Sequence, residues 1–200
     1  MSSIENATQS VGGVRFRLWK VAAVLIIGLI VVAAAGAVLM RAQEISRQKQ
    51  TQETLEAGTR AYSKGNFDKA IISLKKTVEA DPHSPKAHLL LARSYEAAGK
   101  LKEAETSYKA SLDADPKQPE ALYNLAIIYK SQGKTKEAIK ELEKAVKLDK
   151  YFVAARLILA ELFTQQNQKQ KAIEQYEEVI EMKPFGLDLT ELEKKLDSLK

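Results

Sequence analysis

Residues 85–118 read PKAHLLLARSYEAAGKLKEAETSYKASLDADPKQ, a stretch of 34 that recurs in register along the chain. Laid on itself at that period, the sequence aligns Gly58, Ala92, Ala126 and Ala160 in one column of small residues, and Ala70, Ala104, Ala138 and Ala172 in another. A third column holds Ala61, Tyr95, Tyr129 and Phe163, and a fourth holds Leu74, Tyr108, Leu142 and Tyr176. Self-similarity at a fixed period of this length is the signature of a stacked array, in which each unit buries its apolar face on the next.

Punctuation within the period sets the helices. Gly65, Gly99 and Gly133, with Asn167 in the fourth copy, stand where a first helix must stop, because these residues reach the left-handed conformation that turns the chain. Asp81-Pro82, Asp115-Pro116, Asp149-Lys150 and Lys183-Pro184 mark the end of the second helix, since proline disfavours a helical residue before it and cannot continue the ladder. Between these marks apolar residues recur at threes and fours, as in Leu89, Leu91, Ala92, Tyr95 and Ala98, which is an amphipathic helix face. The small columns predict close helix crossings, with the large columns filling the space beside them.

This pattern resembles the tetratricopeptide repeat family, whose unit is a helix–turn–helix of the same length. The resemblance implies an all-α fold: a right-handed solenoid of four repeats over residues 51–84, 85–118, 119–152 and 153–186. Two departures stand out. The large aromatic that the family carries at the fourth position is Thr54, His88, Leu122 and Arg156 here, which weakens that packing site. Lys150 replaces the closing proline and leaves the third unit's second helix free to run on. After Pro184-Phe185-Gly186, Asp188 precedes Glu191 as in a capping box, and Leu189, Leu192, Leu196 and Leu199 form one stripe. Residues 187–200 therefore read as a capping helix covering the last apolar face, or alternatively as a partner-binding helix.

The leader is the second firm feature. Residues 21–40 carry no charged or polar side chain, and at the rise of a helix they span about 30 Å, the thickness of a bilayer core. Trp19, between Arg17 and Lys20, occupies the place of an interfacial aromatic. We read residues 15–40 as a transmembrane anchor, with membrane contact over 18–40. Ala35-Gly36-Ala37 offers a small-x-small cleavage motif, so a secreted or periplasmic form after signal removal is the alternative. Arg15, Arg17 and Lys20 on one flank tie with Arg41, Arg47 and Lys49 on the other, so the positive-inside count does not orient the segment. The short leading tail favours repeats on the outer side of a prokaryotic plasma membrane. Ala33 and Ala37 form a small-xxx-small pair through which membrane helices can dimerise. Residues 1–14 lack periodicity and read as a disordered tail, whereas 41–50, free of proline and rich in helix formers, read as a helical stalk continuing into the first repeat.

Charge and composition exclude several function classes. Of the net charge of +5, residues 1–40 contribute +2 (three cations against Glu5), leaving +3 for the repeats, where Lys and Glu interleave. No clustered basic face for nucleic acid results. Without cysteine there are no disulfides and no thiolate metal sites. The two histidines, His83 and His88, lack paired helical spacing, and no glycine-rich phosphate loop is present, so no cofactor or metal is expected. Carboxylates such as Glu103, Glu137 and Glu141 lie among lysines. An enzyme reading has no residue to rest on.

What remains is binding. In the family, the first helices of successive units line a concave groove that takes an extended peptide or a helix of a protein partner. Carried over by position, the resemblance implies Leu55, Thr59 and Tyr62 in the first unit, and Lys86, Leu89, Arg93 and Glu96 in the second. It implies Glu120, Tyr123, Ile127 and Lys130 in the third, and Leu157 and Glu161 in the fourth. The fifth position is apolar throughout (Leu55, Leu89, Tyr123, Leu157), a stripe that suits either an apolar partner or packing between neighbouring helices. Of the clamp by which one subfamily grips acidic chaperone tails, only Asn124 is matched, which disfavours that role. The expected function is a membrane-anchored scaffold or adaptor for complex assembly, the alternatives being a soluble adaptor and a self-associating structural subunit.

Overall fold

The structure, a computed structural model, describes the backbone of residues 2–200 and the side chains of Lys20 and residues 25–200. The described residues form nine α-helices and no strand. They divide into two units, residues 1–50 and 51–200.

Helix α1 (Ser2–Ser63) begins in the first unit and supplies the first helix of the repeats from Thr51 onward. It takes in residues 2–14, where the composition predicts a disordered tail; an existing helix grows residue by residue without a new nucleus. Trp19, Arg15 and Arg17, the expected interfacial residues, lie outside the described side chains. From Leu25 to Met40 the large apolar side chains are all exposed, Leu29 at 71% and Val32 at 70%. This is the one helix among the described residues long and apolar enough to cross a membrane, and a signal sequence passes the same test of length and composition.

The second unit is a chain of antiparallel hairpins: α1 from Thr51 with α2 (Phe67–Ala80), α3 (Pro85–Ala97) with α4 (Leu101–Ala114), α5 (Pro119–Ser131) with α6 (Thr135–Leu148), and α7 (Val153–Gln165) with α8 (Lys169–Met182). A last helix, α9 (Leu189–Leu199), packs on α8. Each helix touches its neighbours in sequence, which is solenoid stacking. The turn inside each hairpin is made at positive φ by Gly65 (72°), Gly99 (74°), Gly133 (74°) and Asn167 (56°), where a glycine or an asparagine costs little. Starts are capped by Asn66, Ser84 and Asp188, whose side chains accept from the backbone N–H of Lys69, Ala87 and Thr190. Pro85 and Pro119 occupy first-turn positions, where their missing N–H has no partner to lose.

The repeat columns are the core. Ala92, Ala126 and Ala160 and all four alanines of the second column are fully buried, as are Leu74, Tyr108 and Leu142. Both departures from the family pattern turn out to be compensated. Helix α6 does not run on past Leu148; Asp149 caps it, and Arg156 Nε donates to the Lys150 carbonyl at 2.9 Å. Arg156 is itself buried, with Nη1 donating to Gln175 Oε1 at 2.8 Å and Nη2 lying 3.5 Å from Glu178. His88 makes the same contact two units earlier, Nε2 lying 2.9 Å from the Pro82 carbonyl. In the first unit Thr77 Oγ1 bonds Thr54 Oγ1 at 3.0 Å. Leu122 in the third unit is buried in the core. The fourth position is therefore a loop clamp in two units, a hydrogen bond within the hairpin in the first and a packing site in the third.

Candidate functional site

Helices α1, α3, α5 and α7 are the first members of their hairpins, and stacking sets them side by side. A groove of about 620 Å³ opens on this side, lined by Tyr62, Arg93, Glu96, Ala97, Glu120, Tyr123, Asn124 and Phe152. Five of these, Tyr62, Arg93, Glu96, Glu120 and Tyr123, stand at the groove positions of the repeat register, and Asn124 is the residue matched to the chaperone-tail clamp. An adjoining hollow of about 420 Å³ shares Glu120 and Phe152 and adds Leu89, Lys117, Gln118, Pro119 and Asp149.

The groove is aromatic-walled with a polar floor. Tyr123 and Phe152 stack with centroids 5.1 Å apart at 41°. The Arg93 guanidinium lies 5.3 Å over the Tyr62 ring. Burial opposes the charge on Arg93, but the Tyr62 hydroxyl and the Glu120 carboxylate outweigh it and hold its pKa above the ordinary value. On the floor, Tyr108 reaches through from α4, and its hydroxyl donates to Glu96 Oε2 at 2.6 Å. Burial, then the Glu96 carboxylate, push the Tyr108 pKa far above the usual phenol range, while a bond from Asn124 pulls the other way. Tyr108 thus holds Glu96 and Asn124 from behind the groove.

The remaining candidates lie elsewhere. Leu55 packs against the cluster of Ala70, Ile71, Leu74 and Leu91, and Leu157 packs against the main core. The apolar stripe packs throughout, since Leu89 and Tyr123 also lie against the main core, and these two line openings as well. Lys130 Nζ and Glu161 Oε2, 3.1 Å apart, tie the third unit to the fourth. Thr59 Oγ1 donates to the Leu55 carbonyl of its own helix. Lys86 is exposed and Ile127 half-buried, and neither lines the groove. Phe152 was missed because it stands in the loop between units, outside the groove positions of the first helices; only its aromatic character in a short polar loop signals a role. Among the described residues no three His, Cys, Asp or Glu side chains gather as a metal site.

Comparison with known proteins agrees with this architecture. The family model described as tetratricopeptide repeat matches residues 55–119 and 123–186, and a second with the same description matches 97–146. A crystal structure of MamA protein is 28% identical, with a TM-score of 0.65 over 76% of this chain and 87% of that one. YrrB, titled a repeat protein of this family with an unusual peptide-binding site, is 20% identical, with a TM-score of 0.63 over 70% and 73%. The first such domain of Spaghetti (RPAP3), bound to the HSP90 peptide SRMEEVD, is 21% identical, with a TM-score of 0.56 over 60% and 94%. No curated protein matches. On the extent of the match to its repeat model, this chain belongs to the tetratricopeptide repeat family.

Proposed function

We propose that this chain is a membrane-anchored scaffold whose groove of first helices holds a segment of a protein partner, for assembly or stabilisation of a membrane-associated complex. One observation carries the reading: Tyr62, Arg93, Glu96, Glu120, Tyr123 and Asn124, drawn from three different units, converge on a single groove. Aromatic walls with a few fixed polar groups are what a recognition site for a peptide or helix requires. The two structural neighbours with peptide-binding titles share the fold, which makes such a use of this groove natural. The exposed apolar stretch from Leu25 to Met40 is the support for the anchor; in this reading the repeats lie on the outer side of a prokaryotic plasma membrane. Ala35-Gly36-Ala37 supports the second reading, a soluble adaptor released by cleavage.

The test is photocrosslinking in intact membranes from a probe amino acid placed at Tyr123, compared with one at Lys144 on the second-helix side. A defined adduct from position 123 alone, lost on Glu96→Ala and Phe152→Ala, is the expected result. Equal adducts from both positions, insensitive to those substitutions, would move the binding surface out of the groove. The mature N-terminus, read by mass spectrometry, separates the anchored form from the cleaved one.

A further inference from the structure

The loops between units lie at one edge of the solenoid. Because hairpins alternate in direction, this is the edge where first helices start and second helices end: Thr54 bonds Thr77, near the end of α2. Likewise the Ser111 hydroxyl near the end of α4 donates to the Pro85 carbonyl at the start of α3, at 2.9 Å. At each loop the same register position is occupied in turn by His83, Lys117, Tyr151 and Phe185.

The last two are aromatics held out in solvent. Tyr151 is 66% exposed and Phe185 108% exposed. Neither is a frayed side chain. Asp149 Oδ1 accepts from the Tyr151 N–H at 3.0 Å, which closes the loop beneath that ring. Phe185 sits after Lys183, a non-glycine residue at φ 46°, and after Pro184, so a costly backbone conformation and a fixed one together project it outward. Lys150 Nζ lies 5.0 Å over the Tyr151 ring, and Lys183 stands two residues before Phe185 in the sequence. Leu148, 44% exposed, adds to the same edge.

Two projecting rings one unit apart are a poor protein interface, which needs a contiguous, well-packed patch. They suit a lipid headgroup layer, where aromatic rings partition singly and lysines extend past them to the charged surface. We propose that this edge of the repeats rests on a bilayer interface, with Tyr151 and Phe185 inserted among the headgroups, so that the groove is held at a set attitude to the membrane. The proposal rests on the anchored reading above, because it needs the apolar helix to bring the repeats to lipid.

The chain has no cysteine, so single labels are clean. The full chain is reconstituted in vesicles of phosphatidylcholine and phosphatidylglycerol with a nitrobenzoxadiazole label at Tyr151→Cys, Phe185→Cys, Gln166→Cys on the opposite edge, or Val32→Cys in the apolar helix. Quenching by spin-labelled lipid is then compared with quenching by aqueous iodide. Labels at 151 and 185 are expected to be quenched by the lipid at least about twofold more than the label at 166, as interfacial rings should be. Phe185→Ser should lower lipid quenching at 151. Equal quenching at 151, 185 and 166, with Val32→Cys strongly quenched, overturns the edge contact and leaves the anchor standing. A Val32→Cys label open to iodide overturns both. Shielding at 151 and 185 from iodide without lipid quenching means that protein covers the edge, and also overturns the proposal.

Discussion

Gly58→Ala puts the packing logic to a test of sign. Gly58 heads the small column that is alanine in the other three units, and a Cβ built on it would lie 2.6 Å from Leu74 Cγ and 2.8 Å from Cδ2. Leu74 is fully buried, so its branch point has nowhere to retreat. Two effects oppose each other. Replacing glycine within a helix gains about 0.8–1 kcal/mol of propensity. Overpacking a filled core costs about 1–3 kcal/mol. The clash wins, and the substitution should destabilise the repeats by about 1 kcal/mol net. Leu74→Ala alone should cost about 2–5 kcal/mol by leaving a cavity. In that background the clash is gone and only the propensity remains, so Gly58→Ala should now stabilise by up to about 1 kcal/mol. Urea unfolding of the full chain in detergent, followed by circular dichroism, reads all four corners of the cycle. The same sign for Gly58→Ala in both backgrounds would refute the claim that Leu74 is what excludes a side chain at position 58.

Three further outcomes follow from the same geometry. Arg156→Met should destabilise by about 1–3 kcal/mol, because the Lys150 carbonyl and the half-buried Gln175 lose their donor; Arg156→Lys should not restore it, since a point donor cannot reach both. Ala138→Leu should cost about 1–3 kcal/mol in the same unfolding assay by forcing α5 and α6 apart. Tyr108→Phe should weaken partner capture by freeing Glu96 and should also alter the alkaline limb of stability. The Tyr108 pKa is raised in the folded chain, so its contribution is complete below the unfolded value near pH 10 and is lost as pH rises beyond it. Unfolding midpoints followed above about pH 10 should therefore fall more steeply in the parent than in Tyr108→Phe.

The sequence made the fold legible because every device that shapes it is periodic. A glycine or asparagine at each turn, alanines at the crossings and large residues beside them repeat at one spacing, so four noisy copies reinforce one another. The groove was partly legible for the same reason: Tyr62, Arg93, Glu96, Glu120 and Tyr123 sit where the register puts them. What escaped lies outside the first-helix positions. Phe152 enters the groove from a loop, and Tyr108, in a second-helix column, holds Glu96 from behind. The run-on expected at Lys150 failed because its remedy, Arg156, lies six residues away and acts through a side chain. Position alone could not say which residue of the stripe also lines an opening, as Leu89 does while packing like Leu55 and Leu157.

The structure also carries a longer period than the one that decides the fold. His88 and Arg156 clamp the preceding loop by the same contact, two units apart, where Thr54 and Leu122 do not. Tyr108 and Tyr176 likewise lie two units apart, alternating in the column with Leu74 and Leu142. The Tyr108 hydroxyl donates to Glu96, twelve residues earlier, and Tyr176 lines a hollow with Thr164, also twelve earlier. The two segments matching the family model repeat this offset. The building block is therefore a pair of units, one apolar and one polar-equipped, and two equivalent polar floors result. They differ in what lies across them. Over the first runs α5, whose Glu120, Tyr123 and Asn124 complete an open groove. Over the second runs α9, whose Lys195, Ser198 and Leu199 line a smaller hollow of about 280 Å³ with Glu161, Thr164 and Tyr176. A stack that repeats its chemistry every two units but meets a short amphipathic helix at one end keeps its roomier groove on the first pair.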